Sequence, residues 1–145
     1  MDISRVMTRR PIMLHECATV LDAVEKMRGV GCGFLPIGDE KHVVGVITDR
    51  DILVRAVALN KDLSKLPITD IMSRNVIVCN EDDILQCALY LMNKHGIRRI
   101  LVRDKNQHLS GVLSMGDVLR RIPDPLELTD LLYKPASQCH EEELV

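Results

Sequence analysis

The chain contains the same sequence unit twice, and this duplication restricts the possible fold more than any other feature. A shift of 65 residues, with one extra residue in a turn of the second copy, aligns identical residues in order along the chain. The identical pairs include Met7 and Met72, Arg9 and Arg74, Ile12 and Ile77, Glu16 and Glu81, Ala23 and Ala88, Met27 and Met92, Gly31 and Gly96, Asp39 and Asp104, His42 and His108, Gly45 and Gly111, Val46 and Val112, Asp51 and Asp117, and Leu53 and Leu119. Chance does not order so many identities, so we divide the chain into copies at about 3–59 and 68–122.

Both copies predict the element order β-α-β-β-α. Apolar residues at i, i+3, i+4 and i+7 form a helical stripe in each copy, and Gly31 or Gly96 ends that helix. The stripes are Val20, Ala23, Val24 and Met27, then Leu85, Ala88, Leu89 and Met92. The predicted strands are 11–14, 34–37 and 43–47, then 76–79, 100–102 and 109–113. Asn80 with Asp83 is expected to cap the second copy's first helix. The expected apolar face of the first copy's second helix is Ile52, Leu53, Ala56 and Val57.

The predicted fold class is α+β, with two β-α-β-β-α units packed as a pseudo-two-fold pair. A unit of about 55 residues buries only about 60% of its unfolded surface and is marginal alone, which favours a shared interface. We expect a first domain at 1–66 with an N-terminal linker, a second domain at 67–122, and a tail at 123–145. The tail predicts one short helix capped by Asp124, and a loose segment from Pro135 onwards.

The charge and the aromatic content argue against nucleic-acid binding. Nineteen basic and twenty-one acidic residues give a formal charge of −2, so no broad cationic surface is expected. One Phe, two Tyr and no Trp leave little material for stacking on bases. No apolar run approaches the roughly 20 residues of a membrane helix, and the N-terminus lacks the order of a signal peptide.

The cysteines and histidines predict neither a disulfide framework nor a metal site. Five cysteines at irregular spacing contain no CxxC pair, which is typical of buried thiols in a reducing cytoplasm. Five histidines contain no HExxH motif, so no metal ligands are predicted. No catalytic residues are predicted either, because no nucleophile with a base, paired acid and base, or Gly-rich phosphate loop stands out. We therefore expect a protein that is not an enzyme.

A hydroxyl-x-x-acid motif follows the last strand of each copy, as Thr48 with Asp51 and as Ser114 with Asp117. One interpretation is a capping box, in which the hydroxyl and the carboxylate satisfy backbone N–H groups at a helix start. The other interpretation is a nucleotide site, in which the helix start and the hydroxyl bind phosphate and the carboxylate accepts ribose hydroxyls. The motif alone is compatible with both.

Three segments resemble cystathionine-β-synthase (CBS) domains, a tandem pair of which is called a Bateman module. They are Val6-Met-Thr followed by a proline, the segment 45–51 (Gly-Val-Ile-Thr-Asp-Arg-Asp), and the segment 111–117 (Gly-Val-Leu-Ser-Met-Gly-Asp). The resemblance covers about 120 residues, occurs twice in register and is that of a stand-alone short form. It implies clefts on each side of a pseudo-dyad, binding of AMP, ADP, ATP or S-adenosylmethionine, and frequent homodimers.

The resemblance also assigns site residues, with Asp51 and Asp117 at ribose and Thr48 and Ser114 at phosphate. It places the adenine against the first strands of the copies, at Thr8, Pro11 and Ile12 in copy one and at Ser73, Val76 and Ile77 in copy two. The alternative for the apolar strand residues is the core. Phosphate contacts are expected from Arg98 and Arg99 in copy two and from Arg50 in copy one. The alternative for the first two arginines is a solvated edge or a dimer salt bridge.

The resemblance therefore predicts a non-enzymatic regulatory sensor. An adenosyl nucleotide in clefts between two CBS domains would be a regulatory ligand rather than an obligatory cofactor, and its occupancy would change conformation or dimer state. A homodimer and an unidentified protein target are the expected partners, without nucleic acid or membrane. The alternative is a structural module that has no ligand and acts by dimerisation.

Overall fold

The computed structural model describes residues 1–133, 139 and 141–144, and its elements follow the predicted order. The strands are β1 (Thr8–Arg9), β2 (Phe34–Gly38), β3 (Val43–Thr48), β4 (Val76–Asn80), β5 (Arg99–Arg103), β6 (Leu109–Ser114) and β7 (Glu142–Leu144). The α-helices are α1 (Val20–Val30), α2 (Asp49–Ile52), α3 (Leu85–His95), α4 (Met115–Arg121) and α5 (Pro125–Tyr133). A π-helical turn (Leu53–Val57) continues α2, and 3₁₀ turns occur at Ile3–Arg5 and Ile68–Asp70.

The chain forms two compact units that do not coincide with the sequence copies. Ile12–Val76 makes up nearly all of the first unit, whereas the second unit combines Met1–Pro11 with Ile77–Glu143. The first eleven residues therefore pack with the second copy. The repeat marks the duplicated sequence, and the unit marks which residues pack together.

The same strand plan occurs in both units. The second unit has a five-stranded sheet of order β1-β6-β5-β4-β7, in which β5 and β6 are antiparallel and β4 and β5 are parallel. In the first unit β2 pairs antiparallel with β3, and single bridges at Leu14 and Ser73 take the places of β4 and β1. The strand predicted at 11–14 is therefore wrong apart from its last residue, because only Leu14 exchanges backbone hydrogen bonds with β2.

The helical stripes form the two cores as predicted. Val20, Ala23 and Met27 are buried on α1, and Leu85, Ala88, Leu89 and Met92 are buried on α3. Gly31 and Gly96 end these helices with φ values of 75° and 62°, where a side chain would be strained. The α+β class and the β-α-β-β-α order are confirmed.

Two local predictions about helices are wrong. The N-cap of α3 is Ile84, with no side-chain cap, because Asn80 and Asp83 instead close a turn before the helix. Along α2 and the π-helical turn, Ile52 and Ala56 are buried as expected. Their predicted companions Leu53 and Val57 are 60% and 50% exposed, because the π-helical turn changes the angular spacing of side chains.

The tail departs most from expectation. The helix after Asp124 is confirmed, since the Asp124 carboxylate accepts a hydrogen bond from the backbone N–H of Leu126. Glu142–Leu144, expected to be loose, forms β7 beside β4. The Glu141 carboxylate pairs with Lys94 at 2.5 Å and with His95 at 2.6 Å, and the Lys94 hydrogen bond is the main reason that the pKa of Glu141 is lowered. Residues 135–138, 140 and 145, which the same expectation covered, lie outside the described part.

A disulfide between Cys87 and Cys139 contradicts the expectation that the cysteines are unpaired. It joins α3 to the tail across a sequence separation of 52 residues, a distance at which spacing rules give no signal. Cys17, Cys32 and Cys79 are free thiols. The cysteines therefore no longer indicate a reducing compartment. No helix in the described part of the chain is long and apolar enough to cross a membrane.

Candidate functional site

The carboxylates of Asp51 and Asp117 both form capping boxes. The Asp51 Oδ2 atom accepts the backbone N–H of Thr48 at 3.0 Å, and the Thr48 hydroxyl oxygen accepts the backbone N–H of Asp51 at 3.1 Å. The corresponding distances between Ser114 and Asp117 are 2.9 and 3.0 Å. The structural interpretation of the motif is therefore confirmed. It uses one oxygen of each carboxylate and leaves the hydroxyl hydrogens of Thr48 and Ser114 available to donate.

The second oxygen of each carboxylate faces a guanidinium group. Asp117 Oδ1 lies 2.5 Å from Arg120 Nη2 and 3.5 Å from the Thr8 hydroxyl. Asp51 Oδ1 lies 3.7 Å from Arg55 Nη1. The two carboxylate side chains are only 10% and 14% exposed, so these contacts are partly shielded from water. Each carboxylate thus combines a structural oxygen with an oxygen that can accept hydrogen bonds from a ligand.

Each unit places a hydroxyl-bearing segment against its Gly-containing strand. We call Met1–Arg9 and Leu66–Arg74 the lead-in segments. Thr8 pairs with Val112 of β6, and Ser73 pairs with Val46 of β3. The start of each lead-in segment also bridges the start of a helix, at Ile84 and at Thr19.

The glycines of β3 and β6 allow this close approach. A Cβ atom on Gly45 would lie 2.7 Å from the Ser73 carbonyl oxygen, and one on Gly111 would lie 2.8 Å from that of Thr8. Any larger residue at either position would force the lead-in segment away. The repeated Gly of the motif is therefore required by packing.

Predicted site residues of one copy lie close to motif residues of the other copy. Thr8 of the first copy lies beside Asp117 of the second copy. Ser73 of the second copy and Asp51 of the first copy both lie close to the Arg55 guanidinium. Arg55 Nη1 donates to the Ile71 carbonyl at 2.8 Å and to the Ser73 hydroxyl at 3.3 Å. These contacts between residues of different copies follow from the backbone pairing of the lead-in segments, which joins residues more than twenty-five positions apart.

An open cavity of about 220 Å³ borders Asp117 in the second unit. Its lining residues are Arg5, Val6, Asp117, Arg120 and Arg121. These three arginines and Arg55 were not among the predicted site residues. A usable signal existed, because Arg55, Arg120 and Arg121 follow the motif aspartates at i+3 or i+4 and share a helical face with them.

The remaining predicted residues lie in varied surroundings. Val76 and Ile77 are 7% and 6% exposed in β4, as the alternative assignment to the core anticipated. Pro11 is half-buried and Ile12 is 41% exposed, and they fall in different units. Ligand contacts of these residues stay predictions.

The predicted phosphate-binding arginines lie at element starts. Arg99 opens β5 in register with Ser114, and the Arg98 carbonyl accepts the backbone N–H of Met115 at 2.8 Å. In the first unit, Arg50 is exposed near the start of α2, and its backbone N–H donates to the Asp49 carboxylate at 2.9 Å. Within the described residues, no group of three or more His, Cys, Asp or Glu side chains could hold a metal ion.

Comparison with known families identifies both copies. The family model described as the CBS domain matches residues 3–57 and 68–124. The chain belongs to the CBS domain family. The curated protein YlbB of Bacillus subtilis is 38% identical to this CBS pair over 101 residues, which is 68% of this chain and 67% of YlbB. Two other curated relatives match over 62% and 27% of their own lengths, so the chain corresponds to only a part of them.

Solved CBS proteins have the same fold. The CBS domain protein PAE2072 of Pyrobaculum aerophilum, solved in complex with AMP, is 30% identical with a TM-score of 0.78 and covers 92% of this chain and 100% of its own. The CBS domain pair of protein MJ0100, solved with 5′-methylthioadenosine and S-adenosyl-L-methionine, is 29% identical with a TM-score of 0.75 and covers 85% and 96%. The predicted tandem CBS organisation is confirmed.

Proposed function

We propose that this CBS protein is a non-enzymatic sensor that binds an adenosyl ligand at Asp51 and at Asp117. AMP, ADP, ATP and S-adenosylmethionine all carry the adenosyl group, and solved relatives hold AMP or S-adenosylmethionine. The observation that carries the proposal is the divided use of each carboxylate. One oxygen caps a helix and the other remains beside a cation, where it can accept the hydroxyls of a ribose.

The neighbouring hydroxyls complete the proposed recognition. Thr48 and Ser114 accept from backbone N–H groups and keep their own hydrogens for a phosphate oxygen. Thr8 and Ser73 lie at the ends of the lead-in segments, on the same side as the aspartates of their units. The predicted contacts of Arg50, Arg98 and Arg99 with phosphate belong to the same proposal.

Ligand occupancy would act by favouring one conformation or one dimeric state over another. A ligand can shift such an equilibrium only by its difference in affinity for the two states. An apolar patch of Leu53, Val54 and Val57, each at least 50% exposed, supports a homodimer. The same patch is the one observation that favours the alternative, a dimerisation module that needs no ligand.

Isothermal titration calorimetry with AMP, ADP, ATP and S-adenosylmethionine tests the sensor. The variant Asp51→Asn with Asp117→Asn keeps an oxygen for each helix cap and replaces the second oxygen by an amide donor. We expect this double variant to lose binding while its circular dichroism spectrum is retained. Asp22→Asn is the matched control, because Asp22 forms the same capping box with Thr19 on α1. Binding that survives in the double variant would refute the site assignment.

Sedimentation velocity separates the sensor from the dimerisation module. The sensor predicts that a saturating adenosyl ligand changes the sedimentation coefficient or raises the melting temperature. A dimer that is unaffected by every adenosyl ligand at millimolar concentration would favour the alternative.

A further inference from the structure

The two aspartate sites carry different charges at structurally matched positions. Arg5 ends the 3₁₀ turn of one lead-in segment, and Asp70 ends the 3₁₀ turn of the other. On the helices, Arg120 and Arg121 of the second unit correspond in the repeat to Val54 and Arg55 of the first. The second unit therefore has arginines at all three of these positions. The first unit has Asp70, Val54 and Arg55 there.

The match is structural as well as sequential. In both lead-in segments a backbone N–H after the turn donates to the carbonyl of its first residue, Ile3 or Ile68. Both segments then reach the Gly-containing strand one residue after a buried methionine. Arg5 and Asp70 therefore occupy equivalent places, and the difference between the sites is a reversal of charge there.

The arginines around the cavity have more charge than Asp117 compensates. Arg120 pairs with Asp117, and among the described residues no carboxylate forms an ion pair with Arg5 or Arg121. All three arginines line one cavity of about 220 Å³. At the matched positions of the first unit, the carboxylates Asp51 and Asp70 outnumber the cation Arg55, while the neighbouring Asp49 and Arg50 offset each other. The second site is thus net positive, whereas the first is not.

We infer that the site at Asp117 selects adenosine ligands with two or three phosphates, and that the site at Asp51 takes adenosyl ligands of lower negative charge. This inference rests on the proposed function. Guanidinium groups bind phosphate oxygens through paired N–H donors, and several guanidiniums together match a chain of phosphates better than a single one. Asp70 would repel a di- or triphosphate from the first site.

Calorimetry on single-site proteins tests this difference in ligand class. Asp51→Asn leaves the Asp117 site, and Asp117→Asn leaves the Asp51 site. In magnesium-free buffer we expect the Asp51→Asn protein to bind ATP at least about tenfold more tightly than AMP, a difference of about 1.4 kcal/mol. We expect the Asp117→Asn protein to bind AMP at least as tightly as ATP.

Exchange of the matched residues sharpens the test. In the Asp51→Asn background, Arg5→Asp should weaken ATP binding about tenfold and change adenosine binding by less than about threefold, since adenosine has no phosphate. Lys105→Asp makes the same change in net charge in an exposed turn and should leave the ATP affinity unchanged. In the Asp117→Asn background, Asp70→Arg should strengthen ATP binding.

Each result bears on a different proposal. If the adenosyl ligands bind but Arg5→Asp and Lys105→Asp have equal effects on ATP, the selection by charge is wrong. The same holds if the Asp51→Asn protein prefers AMP. If adenosine, AMP and ATP all fail to bind the unaltered protein at millimolar concentration, the proposed function itself fails. Circular dichroism and melting curves establish that each variant is folded.

Discussion

The two units of this CBS protein have the same backbone plan but differ in their surroundings. Both place a capping aspartate after a Gly-containing strand, and both receive a lead-in segment with a hydroxyl beside that strand. Within this common framework, Arg5 in one unit occupies the position that Asp70 occupies in the other. The difference teaches that backbone requirements preserve the repeat, whereas exposed side chains around the motif are free to differ in charge.

The disulfide is the largest expected difference, because only the second unit contains it. In the chain-entropy model, a cross-link over 52 residues contributes about 4 kcal/mol to the free energy of unfolding. Reduction, or Cys139→Ser, should therefore lower the urea midpoint strongly. Cys17→Ser is the control, since Cys17 is an exposed free thiol. Equal midpoints for oxidised wild type and Cys139→Ser would show that the cross-link contributes nothing.

The two strand glycines test whether the units are equivalent in packing. Gly45→Ala and Gly111→Ala each bring a methyl group within 2.7 to 2.8 Å of a carbonyl oxygen of a lead-in segment. Each should cost about 1–3 kcal/mol of stability, as overpacking generally does. Chemical denaturation measures both, with Gly29→Ala as the control, because nothing lies within 4 Å of a Cβ atom at Gly29. A large loss in only one of the two would break the equivalence.

The starts of α1 and α3 offer a smaller contrast. Thr19 and Asp22 form a capping box on α1, so Thr19→Ala should cost about 1 kcal/mol of stability. Ile84, 45% exposed at the N-cap of α3, has no side-chain cap, so Ile84→Thr should gain a few tenths of a kcal/mol or more. Thermal unfolding of both variants decides. If Ile84→Thr is destabilising, its apolar contacts outweigh the missing cap.

The free thiols of the two units are expected to differ in their reactivity towards alkylating reagents. Burial is the main reason that the pKa of the Cys79 thiol is raised to about 12, with a smaller contribution from Asp83. Because the thiolate is the reactive form, Cys79 should remain unmodified at pH 8 while exposed Cys17 is alkylated. Peptide mass spectrometry after brief iodoacetamide treatment measures this. Rapid modification of Cys79 in folded protein would show that the core opens locally.

The sequence predicted those features that depend on nearby residues. Helical stripes, the glycine ends of α1 and α3, and the hydroxyl-x-x-acid boxes are all encoded within a few positions, and they appear as expected. Three other features join residues far apart in the chain. They are the pairing of each lead-in segment with a strand of the other copy, the Cys87–Cys139 bond and the approach of Arg5 to Asp117. No local pattern reports such pairings. Within the site, the aspartates could be named from the motif and Arg120 and Arg121 from their helical spacing, but Arg5 could not.

The lead-in segments determine how this protein can be divided into fragments. A fragment that ends at residue 66 would lack Ser73, and one that begins at residue 67 would lack β1. A fragment that contains the whole second unit would instead have to join Met1–Pro11 to the residues from Ile77 onwards. The stretch between the copies is consequently a structural part of the first half, so that shortening it removes a fold element rather than a spacer.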